Sequence, residues 1–239
     1  MGKTSIFEGK SKSSVIKEIY GQSAELFADS IRSRLPERQR EYTLLDIGSS
    51  KGELLRDLLK LLPEYHFNVT VTDINAASLA ENHVTTSRLE ADAELLPLED
   101  HSQDVILMRY VLQFNGFQSQ MNIIKEITRV TRKFAVIQHA GSDNESAEEW
   151  RAVVDQIFKD GNLPQLNRQG MFWSSALELE NSMKKDGVKF EKIQEKRVEG
   201  LSEVYTQRYQ FNDEQKSCLK KILADKDYIT ITTWVIYPK

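Results

Sequence analysis

Three short stretches carry residue types that could grip one polar ligand. The first is Leu44-Leu45-Asp46-Ile47-Gly48-Ser49-Ser50-Lys51-Gly52. An apolar run delivers the chain to a tight turn, and an amphipathic run follows. Gly48 and Gly52 permit φ > 0 and let a ligand approach the backbone, because no Cβ intervenes. The start of a helix also leaves backbone N–H groups free. The competing reading is a turn shaped for packing alone. The second stretch ends at Asp73, 27 residues after Asp46, in Val69-Thr70-Val71-Thr72-Asp73-Ile74. A carboxylate there can accept both hydroxyls of a ribose, with Ile74 beside a base. It can equally cap the helix that follows. The third runs from Ala91 to Asp104, ADAELLPLEDHSQD. Asp92 could accept a hydrogen bond from an adenine amino group while neighbouring N–H groups meet the ring nitrogens. A surface loop of ordinary turn residues is the alternative.

The elements that must position these residues follow from periodicity. Ile16, Tyr20, Ala24, Phe27, Ile31 and Leu35 share one face of a helix expected over 13–35, stopped by Pro36 and the charged run 37–41. Strands are expected at 42–47, 67–72, 87–91, 104–108 and 134–137. Helices separate them, marked by Leu54, Leu55, Leu58, Leu59 and Leu62, then by 76–80, then by Ile123, Ile124, Ile127 and Val130. Beyond residue 140 the rhythm changes. Ser146 to Glu149 reads as a capping box opening a helix, and Ser175 to Glu178 opens another, running to about Asp186. A strand is expected at 188–197, a helix from Asn212 to Leu223, and the strongest strand signal of all is YITITTWVIY at 228–237.

Strands alternating with helices imply βαβ units and a parallel sheet with right-handed crossovers. Ligands then sit outside the carboxyl ends of the strands, at the point where strand order reverses. All three stretches lie just after strands. The expected whole is one domain over 1–239. It comprises an N-terminal helical cap (1–40), a ligand-binding core (41–140), a helical insert (141–174) and a C-terminal part completing the sheet (175–239).

Composition removes several classes. The 239 residues hold 32 Lys and Arg against 36 Asp and Glu, a net charge of −4, so no global field draws nucleic acid. Residues 141–239 alone are also slightly acidic, with 15 basic and 17 acidic side chains. Cys218 is the lone cysteine, which forbids an intrachain disulfide and a cysteine-based zinc site and fits a cytoplasmic setting. The first 25 residues lack the apolar stretch of a signal peptide, and no run approaches the ~20 apolar residues of a membrane span. Gly48-x-x-x-Gly52 is not the G-x-G-x-x-G spacing of nicotinamide-binding turns.

Read together, LLDIGSSKG, Asp73 and ADAELLPLEDHSQDVI resemble the class I S-adenosylmethionine-dependent methyltransferases over about residues 42–139. The last segment looks most like the small-molecule group that includes quinone-biosynthetic enzymes. The resemblance implies a doubly wound, mostly parallel seven-stranded α/β sheet of the Rossmann-like methyltransferase kind, its last strand antiparallel, under an α-helical cap. It implies S-adenosyl-L-methionine as cofactor. Gly48, Ser49 and Ser50 would then face the methionyl part, with Gly52 closing the turn and Asp46 bracing it. Asp73 would hold the ribose, Ile74 would flank the adenine, and Asp92 with Ala93 would read its edge. Arg109, just after the fourth strand, would approach the cofactor through its backbone, and Tyr110 would point toward the acceptor. One departure is Ser50, where the family's G-x-G-x-G has its middle glycine; serine is less free at positive φ.

Methyl transfer from a sulfonium needs alignment and water exclusion more than a reactive side chain. A base is needed only for a protonated acceptor. His139, immediately after the fifth strand, is the best candidate, with a histidine that caps a strand end or bonds to backbone as the alternative. His66, His83 and His101 show no metal spacing. The acceptor, expected to be a small molecule, would meet aromatic walls from Tyr20, Phe172, Trp173, Tyr205 and Tyr209, and Arg208 could pair with an anionic group. Core packing and a solvated charge are the plain alternatives for these. An RNA- or protein-modifying enzyme and a non-catalytic cofactor-binding module stand as the other functional classes. Against base methylation, Met108-Arg109-Tyr110-Val111 stands where such enzymes carry Asn-Pro-Pro-Tyr or Asp-Pro-Pro-Tyr.

Overall fold

The computed structural model describes residues 22–35, 40–85, 87–141, 174–200, 202–203, 212–223 and 227–239. Seven strands build one sheet: β1 (Glu41–Ile47), β2 (His66–Asp73), β3 (Arg88–Glu90), β4 (Gln103–Arg109), β5 (Thr131–Gly141), β6 (Lys189–Glu199) and β7 (Tyr228–Tyr237). Their order is β3-β2-β1-β4-β5-β7-β6. The first five pair in parallel, and β7 runs antiparallel to both β5 and β6. Strand order therefore reverses between β1 and β4. This is the doubly wound, mostly parallel sheet that the alternating pattern implies.

Helices cover both faces because each presents one apolar stripe. On one face lie α1 (Ser23–Arg34) and α2 (Glu53–Leu61). Phe27, Ile31, Leu55 and Leu58 pack there on Leu44, Leu107 and Val136. On the other face lie α4 (Phe117–Val130) and α5 (Ala176–Lys185), where Ile124, Ile127 and Leu179 meet Ile106, Ile137 and Trp234. The short α3 (Ala76–Ala80) links β2 to β3, and α6 (Asp213–Leu223) precedes β7. α5 opens on a capping box between Ser175 and Glu178.

Several boundaries move. Glu41, expected in the charged run that ends the first helix, begins β1. α4 starts one turn earlier than its apolar stripe suggests, at Phe117 behind the extended Gly116. The largest change is β5, expected at 134–137 but spanning Thr131–Gly141. Gln138 and His139, beyond the expected end of the strand, are both buried inside it, opposite Thr233 and Thr232 of β7. Each finds a hydrogen bond there, which is what burial of a polar side chain requires. The start of the first helix, the helix expected from 146 and the stretch around 204–211 lie outside the described residues.

Gln138 also ties α1 to the sheet. The Ser23 hydroxyl donates to its Oε1 at 2.6 Å, and its Nε2 donates to Thr233 Oγ1 at 3.1 Å. Ser23→Ala should strand that buried acceptor and cost about 1–3 kcal/mol. A fall of a few degrees in Tm, smaller when Gln138→Leu is already present, is the expected calorimetric result; an unchanged Tm would refute the tie.

Candidate functional site

Parallel pairing brings the ends of three strands level. Ile47 of β1 lies opposite Thr72 of β2 on one side and Met108 of β4 on the other, while Asp73 lies opposite Glu90 of β3. The three loops that follow β1, β2 and β3 therefore emerge side by side.

Between β1 and α2 the chain makes a left-handed kink. Gly48, Ser50 and Gly52 have φ of 66°, 48° and 78°. A Cβ at Gly48 would run into Val111, and one at Gly52 would fall 2.7 Å from both Asn82 Oδ1 and Val84 Cγ2. Both glycines are thus fixed by packing as well as by backbone conformation. Ser50 adopts the same region with a side chain, at a steric cost. The kink is held from the β2 side: Ser49 N–H donates to the Thr72 carbonyl at 3.0 Å, and Ser50 N–H to Asp73 Oδ2 at 2.9 Å.

Asp73 does not cap α3. That position belongs to Asn75, whose Oδ1 accepts from Ala77 and Ser78 N–H. Asp73 instead accepts from Ser50 N–H through Oδ2 and from Asn75 N–H through Oδ1, at 2.9 Å each. A carboxylate offers about four acceptor sites, so each oxygen keeps one for a ligand hydroxyl. Next to it, Ile74 is 71% exposed. In the third loop Asp92 is exposed, and its Oδ1 accepts from Glu94 N–H at 2.9 Å. Ala93 is half-buried. Leu95 stands 77% exposed although its neighbour Leu96 is buried. Two carboxylates on exposed loops, each beside an uncovered aliphatic side chain, suit a ligand that joins a diol to a flat ring.

α4 staples the third loop down. Asn122 donates to Glu94 at 2.9 Å, and Glu126 accepts from Leu96 N–H at 2.8 Å. Arg129 donates to the Leu96 and Leu98 carbonyls at 3.1 and 2.9 Å and forms a two-bond pair with Glu126. The Arg129 hydrogen bonds hold Glu126 below the usual carboxylate range. Sequence reasoning missed these residues. The signal available was a Glu–Arg pair three apart on an otherwise apolar stripe.

Arg109 closes β4 rather than following it, and its guanidinium lies 5.9 Å from the centre of the Tyr110 ring. Tyr110 is itself left-handed, at φ 58°, and buried, with its N–H on the Gln138 carbonyl at 2.9 Å. His139 requires a larger correction. It sits within β5, fully buried, its ring stacked 6.1 Å from that of Trp234. Nε2 lies 2.9 Å from the Ser174 carbonyl. A carbonyl can only accept, so the proton is on Nε2 and Nδ1 carries a lone pair. Nδ1 has no hydrogen-bond partner among the described residues. Burial pushes the pKa of His139 down to about 4. Tyr20, Phe172, Trp173, Tyr205, Arg208 and Tyr209 lie outside the described residues. Among the described residues no group of three His, Cys, Asp or Glu could hold a metal ion, and no helix is long and apolar enough to cross a membrane. A shallow depression of about 700 Å³ lies over the start of β2, lined by Leu62, His66 and Phe67 among others, away from these loops.

Asp46 lies beneath the kink and is buried, and burial pushes its pKa up to about 6. A hydrogen bond from Ser49 and the charge of Arg109 oppose that rise, while Asp73 adds to it. The folded state thus holds the proton more tightly than the unfolded chain, whose carboxylate titrates near 3.8. The charge costs nothing below that pH and its full amount, roughly 2–3 kcal/mol, above pH 6. Asp46→Asn should therefore raise Tm at pH 8, with the gain shrinking as pH falls toward 4. A gain that is independent of pH would show that the buried charge is not its source.

Residues 45–137 match a family model described as a methyltransferase domain. Among solved structures, the YcgJ protein of Bacillus subtilis superposes with a TM-score of 0.68 at 14% identity, covering 92% of this chain and 100% of that one. Geranyl diphosphate C-methyltransferase from Streptomyces coelicolor, solved with Mg2+, geranyl diphosphate and S-adenosyl-L-homocysteine, gives 0.60 at 11% identity over 97% and 88%. The [4+2]-cyclase SpnF gives 0.56 at 15% identity over 91% and 82%. Comparison with curated proteins finds no match. Residues 45–137, which carry all three converging loops, thus match a methyltransferase-domain model, and the chain has the Rossmann-like fold of these solved structures.

Proposed function

We propose that the protein transfers the methyl group of S-adenosylmethionine to a small-molecule acceptor by in-line displacement. The observation that carries this reading is the meeting of the β1 and β2 loops at Asp73, whose two oxygens are already oriented by Ser50 and Asn75 N–H. Asp73 would take the ribose hydroxyls. Ile74 and Leu95 would cover the adenine, and Asp92 with Ala93 would read its edge. Gly48, Ser49, Ser50 and Gly52 would lie along the methionyl part, with Asp46 beneath them and the Arg109 backbone near the middle.

The bound cofactor supplies an activated methyl and a neutral leaving group, so the protein's share is alignment and exclusion of water. His139 is held neutral, and its Nδ1 is a lone-pair acceptor at every pH above about 5. It would orient an O–H or N–H of the acceptor. Tyr110, just after β4, would point toward the acceptor. Tyr20, Trp173, Tyr205 and Arg208 complete the proposed acceptor side. A small acceptor is supported by the segment ADAELLPLEDHSQD, which resembles the group that includes quinone-biosynthetic enzymes. The mild acidity of residues 141–239 argues against RNA. The single cysteine fits a cytoplasmic setting.

Loss of charge-assisted hydrogen bonds to ribose should weaken cofactor binding in Asp73→Ala by about 1–3 kcal/mol. Titration calorimetry with S-adenosylhomocysteine reads this directly, and an unchanged Kd would remove Asp73 from the ribose. An acceptor screen with labelled S-adenosylmethionine then tests the substrate class. On an acceptor found that way, His139→Ala should lower turnover and leave the cofactor Kd alone. Unchanged turnover would make His139 a core residue only.

A further inference from the structure

We propose that Asn82 is a positioning residue for the cofactor loop, and that it makes a serine workable at position 50. Asn82 stands two residues beyond the five-residue α3 and is fully buried. Its Nδ2 donates to Ser49 Oγ at 2.8 Å and to the Ser50 carbonyl at 3.2 Å. Its Oδ1 accepts from Val84 N–H at 3.1 Å. The Val84 contact fixes which end of the amide is oxygen, so the end facing the loop is the donor.

Two consequences follow. Ser49 Oγ accepts a hydrogen bond from Asn82, so the hydroxyl's own hydrogen is free to point at Asp46, and that Ser49 hydrogen bond lowers the Asp46 pKa. The Ser50 peptide is also gripped at both ends. Its N–H is on Asp73 and its carbonyl on Asn82, and between them the backbone sits at φ 48°. A glycine would hold that conformation without help, whereas a serine pays a steric cost there and needs the surrounding bonds to persist. Contact on the far side is equally close, since any Cβ at Gly52 would strike the Asn82 amide. Asn82 hydrogen-bonds the loop and Val84 N–H, and it acts by presetting the loop, which spares the ligand the cost of ordering it.

The inference rests on the reading of this loop as the methionyl-side turn, and its test separates the two. Calorimetry with S-adenosylhomocysteine would compare wild type, Asn82→Ala, Asn82→Asp, Ser50→Gly and the double variant Asn82→Ala/Ser50→Gly. In the Ser50 background, Asn82→Ala is expected to weaken binding by about tenfold or more. Asn82→Asp keeps the shape but sets an acceptor against the Ser50 carbonyl, so it should lose at least as much. It also serves if the alanine variant does not fold. Whatever Ser50→Gly does alone, the further loss caused by Asn82→Ala in that background should shrink to under threefold. Equal losses in the two backgrounds would make Asn82 a plain core residue and overturn the proposal, as would unchanged affinity of either single variant at position 82. Absence of binding to the wild type would instead overturn the cofactor reading, and this inference with it.

Discussion

The hydrogen bond from Ser50 N–H to the Asp73 carboxylate is the point on which the candidate site turns. It joins the loop after β1 to the end of β2, and it exists because β1 and β2 pair in parallel register, Ile47 opposite Thr72. A one-residue slip would move Asp73 to the other face of the sheet. Much of the surrounding packing serves to keep that register. Tyr42, Leu44 and Val71 are buried on one face with α1 and α2, and Leu45 and Ile47 on the other with α4.

The same region carries the fold's clearest electrostatic tension. Asp46 is buried and feels the charge of Asp73, with the Arg109 charge and the Ser49 hydroxyl as partial relief. Other buried carboxylates among the described residues have charged partners. Glu126 is paired with Arg129, and Glu180 accepts from the Trp234 indole at 3.0 Å and lies 3.2 Å from Lys192. Cost only partly relieved at one loop, together with left-handed Ser50 and Tyr110, is the pattern expected where function rather than stability set the residues.

The strand-and-loop plan was legible in the sequence because it rests on local signals. β-branched runs gave β1, β2, β4 and β7, and the glycine and aspartate positions gave the loops between them. What was illegible depends on distant partners. β5 looked four residues long because Gln138 and His139 are polar. Ser23, Thr233 and Ser174, 35 to 115 positions away, make their burial tolerable. Asn82 carried no signal in the sequence, since nothing near it announces that the β1 loop packs against it. The exposure of Leu95 was hidden for a similar reason: Leu95 and Leu96 are alike as letters, and α4 decides which one is covered.

The [4+2]-cyclase among the structural matches is a reminder that this fold by itself does not dictate the reaction. The account therefore stands on whether the three loops hold one molecule. A crystal structure of the protein grown with S-adenosylhomocysteine reads that most directly. The account predicts ribose hydroxyls on Asp73, adenine beside Ile74 with its amino group at Asp92, and the homocysteine along Gly48–Ser50. Density for the ligand elsewhere, or loops empty at saturating concentration, would contradict it.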